Sequence, residues 1–466
     1  MTNVEPTTSD QTAPIVQSAP QRTISRERMA LLFMVMLVTA AGNTAMQSVM
    51  PSIGTELGVA DVWISLAYTW SALLWVICAP LWARRSDRRG RKAMMAMGLV
   101  GFIASMSLCG LALIFGLAGL LPAAATLILF ALARSLYGGF GSAAPPAVQA
   151  YVASRTPRSE RTQALALVAS SFGLGTVIGP ALAPLLIFPS TGLVGPFFAF
   201  AIFAVLVLVT LRLRLPDDTP TFAARGEVMA APFSAGSNPR IGSEVASQES
   251  DDNEDNAATV AAEGASIPDL KWSDSRLKPW ILAGLLGGHA QAATLGIIGF
   301  FILDRLGLRS DPGAGTGPIG LVLMSGAIAT LLAQWGLIPI LKLGPRASTM
   351  WGVALSALGT ATFAVSQDLH SITVGFAIAS LGYGLFRPGF TSGASLSVSR
   401  IEQGQVSGIV ASVNGAAYVL APAIGVWLYG HHPLIGFATI CLLCCAVFVL
   451  GWIRLGDDTH LTRDRH

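Results

Sequence analysis

Charge is scarce in this chain. Only 12% of its 466 residues are Asp, Glu, Lys or Arg, against roughly 25% in a soluble domain, so an ordinary globular protein is excluded. None of the 26 Asp and Glu residues lies in the middle of an apolar run. Lysine is confined to Lys92, Lys271, Lys278 and Lys342, none of which follows glycine. That rules out a phosphate-cradling Gly-Lys-Ser/Thr loop, and with it ATP as a driver. Neither His-Glu-x-x-His nor Gly-x-Ser-x-Gly occurs, and an enzyme is not expected. The five cysteines, Cys78, Cys109, Cys441, Cys444 and Cys445, all sit in apolar runs, where they behave as small hydrophobes. No disulfide framework, metal site or cofactor follows from them. The net charge of +3 gives no reason to invoke nucleic acid.

What is present is apolar sequence, 53% of the chain. Windows of about 20 apolar residues, enough for a helix to cross roughly 30 Å of hydrocarbon, recur along it. Twelve spans are expected, at about 29–50, 61–83, 93–117, 124–151, 162–186, 195–214, 277–303, 317–341, 347–366, 371–397, 405–429 and 433–454. The chain then divides into a Ser/Thr/Gln/Pro-rich disordered tail (1–28), a six-helix half (29–214), an acidic solvated linker (215–276), a second six-helix half (277–454) and a tail (455–466). This is an all-α polytopic membrane protein.

The two halves are related. Arg158 to Leu182 recurs as Arg400 to Ile424, a constant 242 positions later, with ten identities in 25 positions that include Arg, Glu, Gln, Ser, Gly and Pro in one register. Gly139-Phe140-Gly141 and Pro145 recur as Gly382-Tyr383-Gly384 and Pro388. Same-sense repeats in a membrane chain are the pattern of a transporter with its site between the halves, near the bilayer midplane.

Of 29 Lys and Arg, Arg134 and Arg387 fall inside spans, Arg305 and Arg309 fall in loops opposite the N-terminus, and the rest lie on the N-terminal side. The positive-inside bias makes that side cytoplasmic, with both termini inside a plasma or inner membrane. Polar side chains concentrate in spans 1 (Asn43, Gln47), 4 (Arg134, Tyr137), 7 (His289, Gln291), 10 (Tyr383, Arg387) and 11 (Asn414, Tyr418). Spans 3, 6, 9 and 12 carry no charged or amide side chain in their interiors. Because a polar group facing lipid is costly, those four are expected against the bilayer and spans 1, 4, 7 and 10 around a central hydrated cavity.

Two motifs and a loop carry a resemblance. Asp87, Arg88, Gly90, Arg91 and Lys92 between spans 2 and 3 resemble the signature of the major facilitator superfamily. Arg134-Ser-Leu-Tyr-Gly138 is similar to its span-4 motif, and Gly175-Thr-Val-Ile-Gly179-Pro180 resembles the span-5 motif of its drug:proton exporters. The resemblance implies the major facilitator fold, two six-helix repeats around a cavity. It also implies a cytoplasmic gate at Asp87 to Lys92, proton coupling at Arg134, and close packing plus a bend at Gly175, Gly179 and Pro180. The sequence departs from the pattern at Thr39, where relatives carry a carboxylate, and at Ser154, which ends Ala150-Tyr151-Val152-Ala153-Ser154 where an acid is usual; Glu160 is the nearest stand-in.

Secondary active export of an amphipathic small organic molecule by proton antiport is therefore expected. A proton-coupled uptake symporter of the same fold is the alternative. The expected partners are substrate, protons and lipid, with the chain acting as a monomer. Asn43, Gln47, Tyr137, His289, Gln291, Tyr383, Arg387, Asn414 and Tyr418 are the candidate cavity residues, and Arg387 could meet an anionic group on the substrate. His289 is the one imidazole inside a span, the side-chain type whose charge changes near neutral pH, so it joins Arg134 as a candidate for proton coupling.

Overall fold

The computed structural model describes residues 24–156, 158–216, 270–398 and 403–456, and all the regular elements within them are helices. Twelve are long and apolar enough to span a bilayer. Spans 1 to 6 are Arg26–Glu56, Asp61–Trp82, Arg91–Leu117, Ala123–Ala153, Leu167–Leu186 and Gly195–Arg214. Spans 7 to 12 are Lys278–Arg305, Pro312–Leu341, Pro345–Val365, Leu369–Leu396, Gly408–His431 and Pro433–Arg454. Span 1 begins earlier than expected, because Ser25 accepts a hydrogen bond from the Arg28 amide and caps the helix. Residues 26–28 thus belong to the helix and not to the tail. Residues 1–23 of that tail, the linker from 217 to 269 and residues 457–466 lie outside the described residues.

Two spans are not continuous helices. Span 4 stops at Gly139, makes a single tight turn over Gly141–Ala143 and restarts at Ala144. Pro145 and Pro146 cause this: each lacks an amide hydrogen and clashes with the carbonyl four residues back. The Ala143 amide bonds to the Phe140 carbonyl at 3.0 Å, and the Gly139 carbonyl it leaves accepts instead from the Trp82 indole at 2.5 Å and the Ser142 hydroxyl at 2.9 Å, as backbone inside a membrane must. Span 8 widens into a π-turn at Ala333–Leu337, with Gln334 turned inward and buried.

Spans 9 and 10 pack backbone to backbone. Gly375, Gly382 and Gly389 recur every seventh residue and face Phe363, Gly352 with Ser356, and Thr349. The reciprocal Gly352 and Gly359 meet Phe386 and Ala379. A seven-residue repeat of small residues keeps one seam between two helices, and only Gly allows this approach. A methyl at Gly359 would collide with the Ala379 amide nitrogen. Gly359→Ala is expected to destabilise by about 1–3 kcal/mol, seen as a lower Tm of the purified protein and a reduced membrane level.

Within each half the same pair makes the extensive contact, span 1 with span 5 and span 7 with span 11, as the repeat implies. Gly175 lies against Leu37, Ala40 and Ala41, Gly179 lies against Ala41 and Thr44, and Thr44 donates to the Gly175 carbonyl at 3.3 Å. The halves touch through span 2 with span 11 and span 5 with span 8, where the Pro180 carbonyl approaches Gly320. Spans 3, 6, 9 and 12 turn large apolar side chains outward, among them Leu111, Leu206, Trp351 and Trp452, an exposed apolar surface of the kind that marks contact with a membrane or a protein partner.

Candidate functional site

A cavity with two lobes lies where the halves meet. The first lobe takes Thr44 and Gln47 from span 1, Thr176 and Pro180 from span 5, Gln291 and Thr294 from span 7, Leu323 and Thr330 from span 8, and Phe376, Ser380 and Tyr383 from span 10. Its empty space, open solvent included, is about 670 Å³. The second lobe shares Gln47, Leu295 and Leu323 and adds Pro51, Ser65, Tyr68, Phe300, Tyr418 and Pro422. No lining residue of either lobe is charged.

Gln47, Gln291, Tyr383 and Tyr418, expected at the cavity, are on its wall; Asn43, Tyr137, His289, Arg387 and Asn414 are not among the lining residues. Most of these form two clusters behind the wall. In the first half Arg134 is wholly buried, donates from Nη2 to the Asn43 amide oxygen at 2.9 Å, and lies 4.9 and 5.6 Å from the ring centres of Tyr137 and Tyr68. In the second half Arg387 is 4% exposed, donates to the Asn414 amide oxygen at 3.0 Å and to the Tyr418 hydroxyl at 3.5 Å, and lies 5.5 Å from the Tyr418 ring. Each half therefore holds a buried guanidinium with an asparagine oxygen and a tyrosine face. The two arginines are not at repeat-equivalent positions.

His289 is half-buried, with Nδ1 2.6 Å from the carbonyl of Leu285 on its own helix. In the neutral ring that nitrogen must carry the hydrogen, leaving the Nε2 lone pair open. Thr39 donates to the Val35 and Met36 carbonyls and offers no titrating group. Gly90 separates spans 2 and 3 with φ 88°, a conformation that favours glycine, while Arg91 is buried. The side chains of Asp87, Arg88 and Glu160 lie outside the described residues, and with them the partners of the expected cytoplasmic gate.

Several site residues give no signal in the sequence. Thr44, Thr294 and Thr330 each donate to the carbonyl four residues back, at 3.0, 2.8 and 3.0 Å. A hydroxyl satisfied in this way costs little in an apolar helix and escapes a search for expensive polar groups. A second feature missed is a clamp on the face opposite the N-terminus. Arg309, after span 7, donates to both oxygens of Asp61 at the start of span 2 (2.8 and 2.6 Å), to Thr55 of span 1 (3.0 Å) and to Asp304 of span 7 (2.8 Å). Tyr429 donates to Asp304 at 2.6 Å. Bonding to Asp61 above all, then to Asp304, holds the Arg309 guanidinium above its already high range against partial desolvation. The clamp joins the two halves across 248 positions of sequence, a distance that no local pattern reveals.

Comparison with known proteins agrees with this architecture. A family model described as Major Facilitator Superfamily matches residues 32–341. Over 204 residues the chain is 28% identical to "Multidrug resistance protein MdtG" of Yersinia enterocolitica, covering 42% of the chain and 46% of that protein. It is 30% identical over 174 residues to "Multidrug resistance protein 1" of Bacillus subtilis, covering 37% of the chain and 41% of that protein. A "Probable actinorhodin transporter" of Streptomyces coelicolor is 32% identical over 178 residues, 38% of the chain and 28% of that protein. The matched stretch thus spans less than half of each of these relatives. Among solved structures, a D-xylose-proton symporter superposes with TM-score 0.64 at 12% identity, covering 93% of the chain and 98% of that structure. The human organic anion transporter MFSD10 gives 0.59 at 17% identity, covering 93% and 100%.

Proposed function

This chain belongs to the Major Facilitator Superfamily, and from that premise we propose that it exports an amphipathic small organic molecule by proton antiport. The observation that carries the reading is the cavity to which both halves contribute, lined by amides, hydroxyls and apolar side chains, beside the Arg309 clamp that holds the halves together at one end. Opening and closing the two ends in turn, by rocking one half on the other, would expose such a site to each side of the membrane. The N-terminal face is assigned to the cytoplasm on the arginine bias, so the clamped face is the outer one and the state described is closed to the outside. The exporter motif at Gly175 to Pro180, placed where span 5 meets spans 1 and 8, favours export over uptake.

In this mechanism the proton is carried by Nε2 of His289, two residues along span 7 from the wall residue Gln291, and binding of substrate and binding of the proton exclude each other. The test uses membrane vesicles from an efflux-deficient bacterium expressing the chain, with a substrate taken from a resistance screen. Under a pH difference acid inside, vesicles are expected to accumulate the substrate above its outside concentration, because each proton that leaves drives substrate in, and everted vesicles present the exporting orientation. Accumulation only when the difference is reversed, acid outside, would make the protein a proton symporter and the uptake reading correct. His289→Gln, which cannot titrate, is expected to abolish uphill accumulation in everted vesicles and leave downhill exchange intact. If the variant still accumulates substrate, His289 does not couple the proton.

A further inference from the structure

We propose that the cavity selects organic anions: its substrate carries a carboxylate or similar group, held by the field of Arg134 and Arg387, and lipophilic cations are rejected. The proposal rests on the transport reading above and specifies its substrate class. Two guanidiniums are buried behind the cavity wall, at 0% and 4% exposure. The groups that bond to them or lie against them are neutral: Asn43 with the Tyr68 and Tyr137 rings for one, Asn414 and Tyr418 for the other. Arg134 keeps Nε and Nη1 without a hydrogen-bond partner although wholly buried.

The acids that could neutralise them are elsewhere. Among the described residues, Glu27, Glu56, Asp61, Asp304, Asp311 and Asp368 lie at the ends of spans 1, 2, 7, 8 and 10, Asp274 pairs with Arg276 before span 7, and Asp304 and Asp61 are already bound to Arg309. The cavity wall itself is uncharged, so the two arginines set the sign of the potential inside it. Each is one side chain away from the lumen, since Tyr68 and Tyr418, which lie against them, line the second lobe. In a medium of low dielectric that field favours an anion over a cation of the same shape. A carboxylate in the midplane would cancel it, and none is there among the described residues. Exporting an anion against an entering proton moves charge in one electrical sense on both legs, so the membrane potential and the pH gradient act together.

The test is a matched set of probes on one aromatic body: naphthylacetate, naphthylacetamide and naphthylethylammonium. Binding to the purified full-length chain in detergent is measured by equilibrium dialysis, after subtracting uptake by protein-free micelles. The acetate is expected to bind at least roughly tenfold tighter than the acetamide, with the ammonium weakest, as a unit charge one side chain away would produce. Arg387→Gln should bring the acetate down towards the acetamide and leave the acetamide unchanged, and Arg387→Lys should keep the order. An ammonium that binds as well as the acetate, no binding by the acetate, or an equal loss of all three probes in Arg387→Gln would each overturn the proposal. The same probes in vesicles under each sign of the pH difference separate it from the direction of transport. Acetate preferred but moved with the proton would leave anion selection standing and export wrong. Ammonium exported would leave export standing and anion selection wrong.

Discussion

Arg134→Ala is expected to reduce transport by at least roughly a hundredfold while the protein remains in the membrane at its normal level. The magnitudes around this side chain argue that it is not kept for stability. A cation at this depth costs several kcal/mol. Against that stand one charge-assisted hydrogen bond to Asn43, worth about 1.5–3 kcal/mol, and two contacts with tyrosine faces at about 0.5–2 kcal/mol each. These terms nearly cancel, and replacing buried charged groups by apolar ones of similar volume is often neutral. A residue that adds little stability and leaves two guanidinium nitrogens unbonded is retained for what the charge does. The check compares transport rate, membrane level and Tm for Arg134→Ala, Arg134→Lys and Asn43→Ala. Loss of transport at unchanged Tm, with part of the rate restored by lysine, is the expected pattern. Full transport in Arg134→Ala would remove the arginine from the mechanism, and a collapse of Tm would make it structural.

The fold was legible because the bilayer enforces length and polarity. Span 9 was expected at 347–366 and occupies Pro345–Val365, and span 12 was expected from 433 to 454 and occupies Pro433–Arg454. The interruptions were harder to read. Gly139 to Pro146 still reads as one apolar window, because hydropathy is blind to missing backbone amides, and the π-turn at Gln334 leaves no mark in composition. At the site, expensive side chains such as Arg134, Arg387 and Gln291 stood out against their apolar surroundings. That Arg134 pairs with Asn43 and Arg387 with Asn414 could not be read from spacing, since each pair joins different helices. The self-satisfied threonines and the loop residue Arg309 looked ordinary. What makes Arg309 matter is where span 2 begins in space.

The second large effect concerns that clamp. Arg309→Asp is expected to prevent the outer face from closing and so to abolish transport, whereas simple neutralisation in Arg309→Gln should be milder. The reason lies in exposure: the side chains of Arg309, Asp61 and Asp304 are 33%, 19% and 39% exposed, and solvent screening holds such pairs to about 1 kcal/mol or less each. Losing them shifts the open-to-closed ratio by roughly fivefold to tenfold. A third carboxylate beside Asp61 and Asp304 does more, because closure must then bring three like charges together. The guanidinium, already held above its usual range by Asp61, stays charged at any pH the membrane tolerates. Contributions of this sign are lost only as pH rises through the group's own value, so alkali will not release the clamp. Closure is read by placing a cysteine at Ser52, fully buried at the outer contact near Gly315, in a background without the five native cysteines. A membrane-impermeant maleimide added from outside should label it slowly in the parent, several-fold faster in Arg309→Gln and fastest in Arg309→Asp. Exchanging the charges, Asp61→Arg with Arg309→Asp, puts a cation back opposite an acid across the halves and should restore slow labelling together with a substantial part of transport. If Arg309→Asp labels no faster than the parent and still transports, the halves are held shut by apolar packing alone, at Pro51 against Gly299 and Pro180 against Gly320.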